Sequence, residues 1–69
     1  RRRVAGVGVG GKGGSDIDQA GRLMEVAALC DIDAGRLDKK GAAWPAARRF
    51  ADWRELLDTM AGGIDAVVV

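Results

Sequence analysis

Four short runs of small and β-branched residues recur along the 69-residue chain, each separated from the next by a stretch with helical spacing. The runs are "RVAGVG" from Arg3, "EVAALC" from Glu25, "ARRF" from Ala47 and "IDAVVV", whose extended part covers residues 65–69. A continuous apolar run of this length, bounded by turn residues, reads as a buried strand. Strands that alternate with helices do not pair as hairpins. Each connection crosses back over the sheet, so neighbours run parallel and the crossovers are right-handed. The order β-α-β-α-β-α-β therefore predicts an α/β fold, one parallel sheet between helices, three layers in all. "ARRF" belongs near a sheet edge, and the valine-rich last run is expected to be the most buried strand.

The connections carry their own signals. Ile17, Ala20, Gly21 and Met24 recur at i, i+3, i+4 and i+7, one face of a first helix whose small members allow close packing on the sheet. Asp33 caps a second helix from Ala34 to Ala43, in which Gly35 and Gly41 each cost ~1 kcal/mol relative to alanine. Trp44-Pro45 ends it, because the residue before a proline is pushed out of the helical region. Asp52 and Glu55 form a capping-box-like start to a third helix. In it Trp53, Leu56, Leu57 and Met60 repeat at helical spacing until Gly62-Gly63 stops it. Trp44 and Trp53 are expected to cover the sheet. Gly6, inside the first strand, is expected to weaken it.

Composition narrows the function. One cysteine, Cys30, and no histidine leave no disulfide within the chain and no Cys/His metal site, so no metal ligand is assigned. Cys30 reads as a small buried strand residue rather than a nucleophile. The content, 48% hydrophobic and 30% charged, is that of a globular protein, although a core of this size is marginal. The net charge is +1. Arg1 to Arg3 cluster at the start, but the remaining charges are mixed in sign. The cluster therefore reads as a solvated lead-in to the first strand, and no nucleic-acid partner is expected. No apolar segment follows "RRR" as a twin-arginine export signal requires. No run approaches the ~18 apolar residues of a membrane span, so no membrane partner is expected either.

The segment "GVGVGGKGGSD" joins the first strand to the first helix. Within it Gly8, Gly10 and Gly13 make G-x-G-x-x-G in the context that gives this pattern meaning: after a strand, opening a helix, with an acid at the end of the next strand. A second register, Gly6-Gly8-Gly11, begins inside the strand. In a Rossmann arrangement, here the strand order 3-2-1-4, each glycine has a task. Gly8 allows the tight turn off the strand, Gly10 removes a Cβ where a pyrophosphate meets the backbone, and Gly13 lets the helix approach the sheet. Gly11 and Lys12 complete the turn, and the helix N-terminus offers N–H groups to the anion. Asp31, eighteen residues after Gly13, accepts from the adenosine ribose hydroxyls. Its charge disfavours a 2′-phosphate and Ile32 offers no compensation, which selects NAD over NADP; Arg36 is near enough to keep NADP open. A P-loop is excluded, since Lys12 is followed by Gly13 rather than by Ser or Thr. For Lys12 a solvated side chain stands beside a phosphate contact, and for Ser15 a local cap stands beside a pyrophosphate contact.

Taken together, "VAGVGVGGKGGSDI", "VAALCDID", "RRFADWRELLD" and "IDAVVV" resemble, in order and over essentially the whole chain, the N-terminal portion of Gfo/Idh/MocA-type oxidoreductases. The resemblance implies an N-terminal Rossmann domain that binds NAD or NADP. It also implies a second α/β domain for substrate binding and homo-oligomer formation, and hydride transfer to or from a sugar, inositol or related polyol. Of the family's functional residues only Gly8, Gly10, Gly13 and Asp31, with the turn at Gly11 and Lys12, carry over. The family's Thr-Pro loop and Glu-Lys-Pro segment have no counterpart here, so no catalytic residue is assigned. Residues 1–69 are thus expected to be the N-terminal part of a dinucleotide-binding domain from a longer protein. The expected setting is cytoplasmic, with an exported parent as the alternative because some relatives of this "GVGGKG" type are exported. The competing function is a non-enzymatic NAD-sensing regulatory domain, which uses the same glycine turn and ribose acid.

Overall fold

The computed structural model describes residues 2–10 and 12–69, with residues 12–14 described by backbone alone. Seven elements follow one another: β1 (Arg3–Val7), α1 (Lys12–Ala20), β2 (Glu25–Cys30), α2 (Ala34–Ala43), β3 (Arg48–Phe50), α3 (Trp53–Met60) and β4 (Ala66–Val68). All strand pairs are parallel, in the order β3-β2-β1-β4. This is a partial Rossmann-like α/β fold. The crossovers divide the helices between the two faces. Ile17 of α1 and Leu37 of α2 join one apolar cluster with Val4, Val9, Val26 and Leu29. Leu56 and Met60 of α3 join the other with Ala5, Ala27, Ala28, Cys30 and Phe50.

Side-chain alternation along β1 and β2 distributes these residues, with one interruption. Val4 pairs with Val26, but Ala5 pairs with Ala28, so Ala27 is an extra residue in β2. Both Ala27 and Ala28 lie in the α3 cluster. A bulge of one residue exchanges the faces of everything that follows it. Here it sends Leu29 to the α1/α2 face and Cys30 to the α3 face.

Several sequence expectations change. The first helix ends at Ala20, one turn short of Met24. Its last carbonyls are taken up by a tightening turn, with Gly21 N donating to Ile17 O at 2.9 Å and Leu23 N to Ala20 O at 3.0 Å. Met24 reaches the core from that turn rather than from the helix. Asp52 does cap α3, but its carboxylate accepts from Arg54 N at 2.9 Å and no reciprocal bond comes from Glu55. Trp44 packs against the α1/α2 core as expected. Trp53 belongs to neither buried cluster and stays 52% exposed. It lines an apolar groove of about 400 Å³ with Val7, Leu57, Val67 and Val69. The last strand is likewise not the most buried: β4 is a three-residue edge, with Val67 half-exposed.

Gly6 is the clearest correction. An ideal Cβ there would stand 2.9 Å from Ile17 Cγ1 and 3.1 Å from its Cδ1. Ile17 is fully buried and has nowhere to retreat. Gly6 therefore has a packing role that the sequence did not show: its missing side chain leaves the room that Ile17 of α1 occupies against the sheet. Among the described residues no helix is long and apolar enough to cross a membrane.

Candidate functional site

The C-terminal ends of β1 and β2 lie side by side, because the two strands pair along their length. The chain leaves β1 through Val7 and turns at Gly8, whose φ of +73° is the left-handed conformation that side chains resist. Gly8 N donates to Cys30 O at 2.8 Å, which ties the turn to the end of β2. Among the described residues nothing lies within 4 Å of an ideal Cβ on Gly8. Val9 then points back into the α1/α2 core and is buried, anchoring the loop.

Asp31 follows β2 and is buried to 8% exposure. Its Oδ2 accepts from Gly10 N at 3.3 Å and its Oδ1 from Asp33 N at 2.9 Å, while its own N–H donates to Phe50 O at 3.2 Å. Asp31 therefore joins three segments: its carboxylate holds the glycine turn and the lead-in to α2, and its backbone N–H holds the end of β3. The two N–H donors give each oxygen of this nearly buried group a hydrogen-bond partner. Among the described residues each oxygen has one such partner, and a carboxylate oxygen can accept a second donor. Ile32, next to it, is 94% exposed and presents bare apolar surface at the rim.

Asp33 caps α2 by accepting from Arg36 N at 3.0 Å. From that first turn the Arg36 side chain reaches across to the glycine turn. A Cβ on Gly10 would collide with Arg36 Cδ and stand 2.9 Å from Nε and 3.1 Å from Nη1. The absent side chain at Gly10 is thus filled by an arginine from another element.

The structure brings together Gly8, Gly10 and Asp31. Lys12 and Gly13 open α1, but their side-chain surroundings, like the whole of Gly11, fall outside the described residues. Ser15 is exposed in the early turns of α1. Cys30 is buried beside this site but faces α3. Burial first, then the charges of Asp31 and Asp52, push its thiol above the ordinary 9.0, so it stays protonated and is no nucleophile. Sequence reasoning assigned nothing to Val9, whose signal was an apolar residue inside a run of glycines. It also saw Arg36 only as a nearby charge.

The residues fit an adenine dinucleotide. Among the described residues, no atom stands within 4 Å of a Gly8 Cβ, each Asp31 oxygen accepts a single hydrogen bond, and Ile32 is exposed beside them. Comparison of the chain with protein-family models finds no match, and comparison with curated proteins finds no significant one.

Proposed function

We propose that this chain is the nucleotide-binding portion of an NAD-dependent oxidoreductase acting on a sugar, inositol or related polyol. The observation that carries the reading is Asp31, a nearly buried carboxylate at the end of β2, within hydrogen-bond reach of a glycine turn off β1. An acid so placed, whose oxygens can each accept a second donor, with a left-handed glycine turn beside it, has the geometry for a ribose and a pyrophosphate at the carboxyl edge of a parallel sheet. Asp31 takes the adenosine ribose hydroxyls, Ile32 covers the adenine, and Gly8, with Gly11 and the start of α1 at Lys12 and Gly13, admits the pyrophosphate, while the space at Gly10 is taken by Arg36. NAD is favoured over NADP because Asp31 repels a second phosphate on the ribose.

When bound, the nicotinamide supplies the hydride chemistry, and this chain supplies binding and orientation. The oxidoreductase assignment, and with it the polyol substrate, the cytoplasmic setting and assembly into homo-oligomers, rest on the sequence resemblance. The nucleotide site rests on Asp31 and the turn.

The direct test is titration of the chain with ADP-ribose, followed by tryptophan fluorescence or calorimetry. Wild type should bind. Asp31→Ala should bind about tenfold more weakly or worse, since a hydrogen bond to a charged acceptor is lost. Circular dichroism should show that the variant remains folded. Equal affinity of the folded variant would remove Asp31 from the site, and absence of binding to wild type would end the nucleotide reading.

A further inference from the structure

We propose that Asp33, the cap of α2, is a positioning residue that holds the glycine turn in its binding shape before a nucleotide arrives; its effect on affinity rests on the nucleotide reading above. Four residues from two connections close a ring. Gly10 N donates to Asp31 Oδ2 at 3.3 Å, and Asp33 N donates to Asp31 Oδ1 at 2.9 Å. Arg36 N donates to Asp33 Oδ1 at 3.0 Å. The Arg36 side chain then returns to Gly10, where its Cδ, Nε and Nη1 occupy the room a Cβ would need. Taken singly the links are weak: the bond from Gly10 is long, and the Asp33 and Arg36 side chains are more than half exposed. Closed into a ring, each holds the others. The cap is the link on which both sides depend. It fixes the Asp33 backbone in the extended conformation, at φ −90° and ψ 109°, from which its N–H meets Asp31 while its carboxylate meets Arg36 N. Without that carboxylate the first turn of α2 loses its fixed entry, the Arg36 stem is released from Gly10, and Asp31 loses the donor that orients it. A turn that keeps its shape in only part of the population binds more weakly by that fraction. Asp33 thus acts on the site through Asp31 and Gly10.

Asp33→Ala and Asp33→Asn separate cap from charge, since both are neutral and only asparagine keeps the acceptor. Amide exchange at Gly10, referenced to the amides of β2, reads the turn with no ligand present. Asp33→Ala should speed that exchange about fivefold, the equivalent of a typical lost cap, and Asp33→Asn should leave it near wild type. Affinity for ADP-ribose should fall about fivefold in Asp33→Ala and recover in Asp33→Asn, at a temperature where circular dichroism shows all three proteins folded. A purely structural cap would lower the unfolding midpoint of Asp33→Ala and leave the referenced Gly10 exchange unchanged, which overturns the proposal. Equal losses in both variants would assign the effect to the charge and overturn it too. Faster exchange with unchanged affinity would remove Asp33 from nucleotide binding. If wild type binds no ADP-ribose, the nucleotide reading falls, and the Gly10 exchange still decides whether Asp33 sets the turn.

Discussion

At Gly6 and Ile17 a single missing methyl decides how a helix sits on a sheet. The ideal Cβ at Gly6 lies 2.9 Å from a side chain that is itself fully buried. Gly6→Ala should therefore destabilise the chain by about 1–3 kcal/mol, the usual cost of overpacking, even though alanine suits a strand better than glycine. Ile17→Ala alone should cost about 2–5 kcal/mol through the cavity it leaves. The double variant should cost less than the two added together, because each change makes room for the other. Urea denaturation of the four proteins measures this, and strict additivity would mean that the two residues do not share the space. Gly8 was legible in the sequence because its need is local: the backbone itself turns to positive φ there. Gly6 was not legible, because the atom it must avoid belongs to a residue eleven positions away on another element.

Between elements, the clearest link is the one from α1 to α2. Asp18 accepts from Lys40 Nζ and from Trp44 Nε1, each at 2.8 Å. The hydrogen bond from Lys40, then that from Trp44, hold the Asp18 carboxyl below its ordinary 3.8. A depressed carboxyl stabilises the fold at every pH above its unfolded value, and that stabilisation is lost as the pH falls through the lowered folded value. Asp18→Asn keeps an acceptor for Trp44 but loses the charge. At neutral pH it should be less stable by about 0.5–1 kcal/mol, the modest figure that suits a half-exposed pair. In acid well below 3.8 the two proteins should unfold alike. Denaturant midpoints at the two extremes check this; a deficit that persists undiminished in acid would show that the charge is not its source. The bounds of β2 and α2 were legible because their signals, Asp33 before the helix and Trp44-Pro45 after it, act within one helical turn. The length of α1 was not, since a spacing of i, i+7 is also met by a helix that ends early in a tight turn. The clasp at Asp18 was illegible for the same reason as Gly6, its partners lying 22 and 26 residues away.

Across the whole molecule, stability should follow the depth of each strand in the sheet. β2 has neighbours on both sides, and five of its six residues are buried. β4 pairs with β1 alone over three residues, beside the open groove of Trp53 and Leu57. Amide exchange should therefore be slowest at Ala28–Cys30 and at least about tenfold faster at Val67 and Val68, which lose protection by local opening rather than by global unfolding. Equal protection in both strands would mean that the sheet opens only as a unit. The composition of the last run, which closes on three valines, gave no hint of this, since an apolar strand reads the same at an edge as in the centre.

The sequence by itself determined the succession of strands and helices, their parallel pairing, the order 3-2-1-4, the left-handed need at Gly8 and an acid at the end of the second strand. All but the strand order follow from caps, breakers, spacing and the handedness of crossovers, and the order follows from reading the glycine turn as that of a Rossmann arrangement. Only the tertiary structure decided the extra residue at Ala27, and with it which face Leu29 and Cys30 occupy. It alone decided that Gly6 receives Ile17, that Asp31 holds the glycine turn, and that Arg36 fills the space over Gly10. Each of these is a contact between elements far apart in the chain. A one-residue change in register moves every such contact to the other face while leaving the local pattern unaltered.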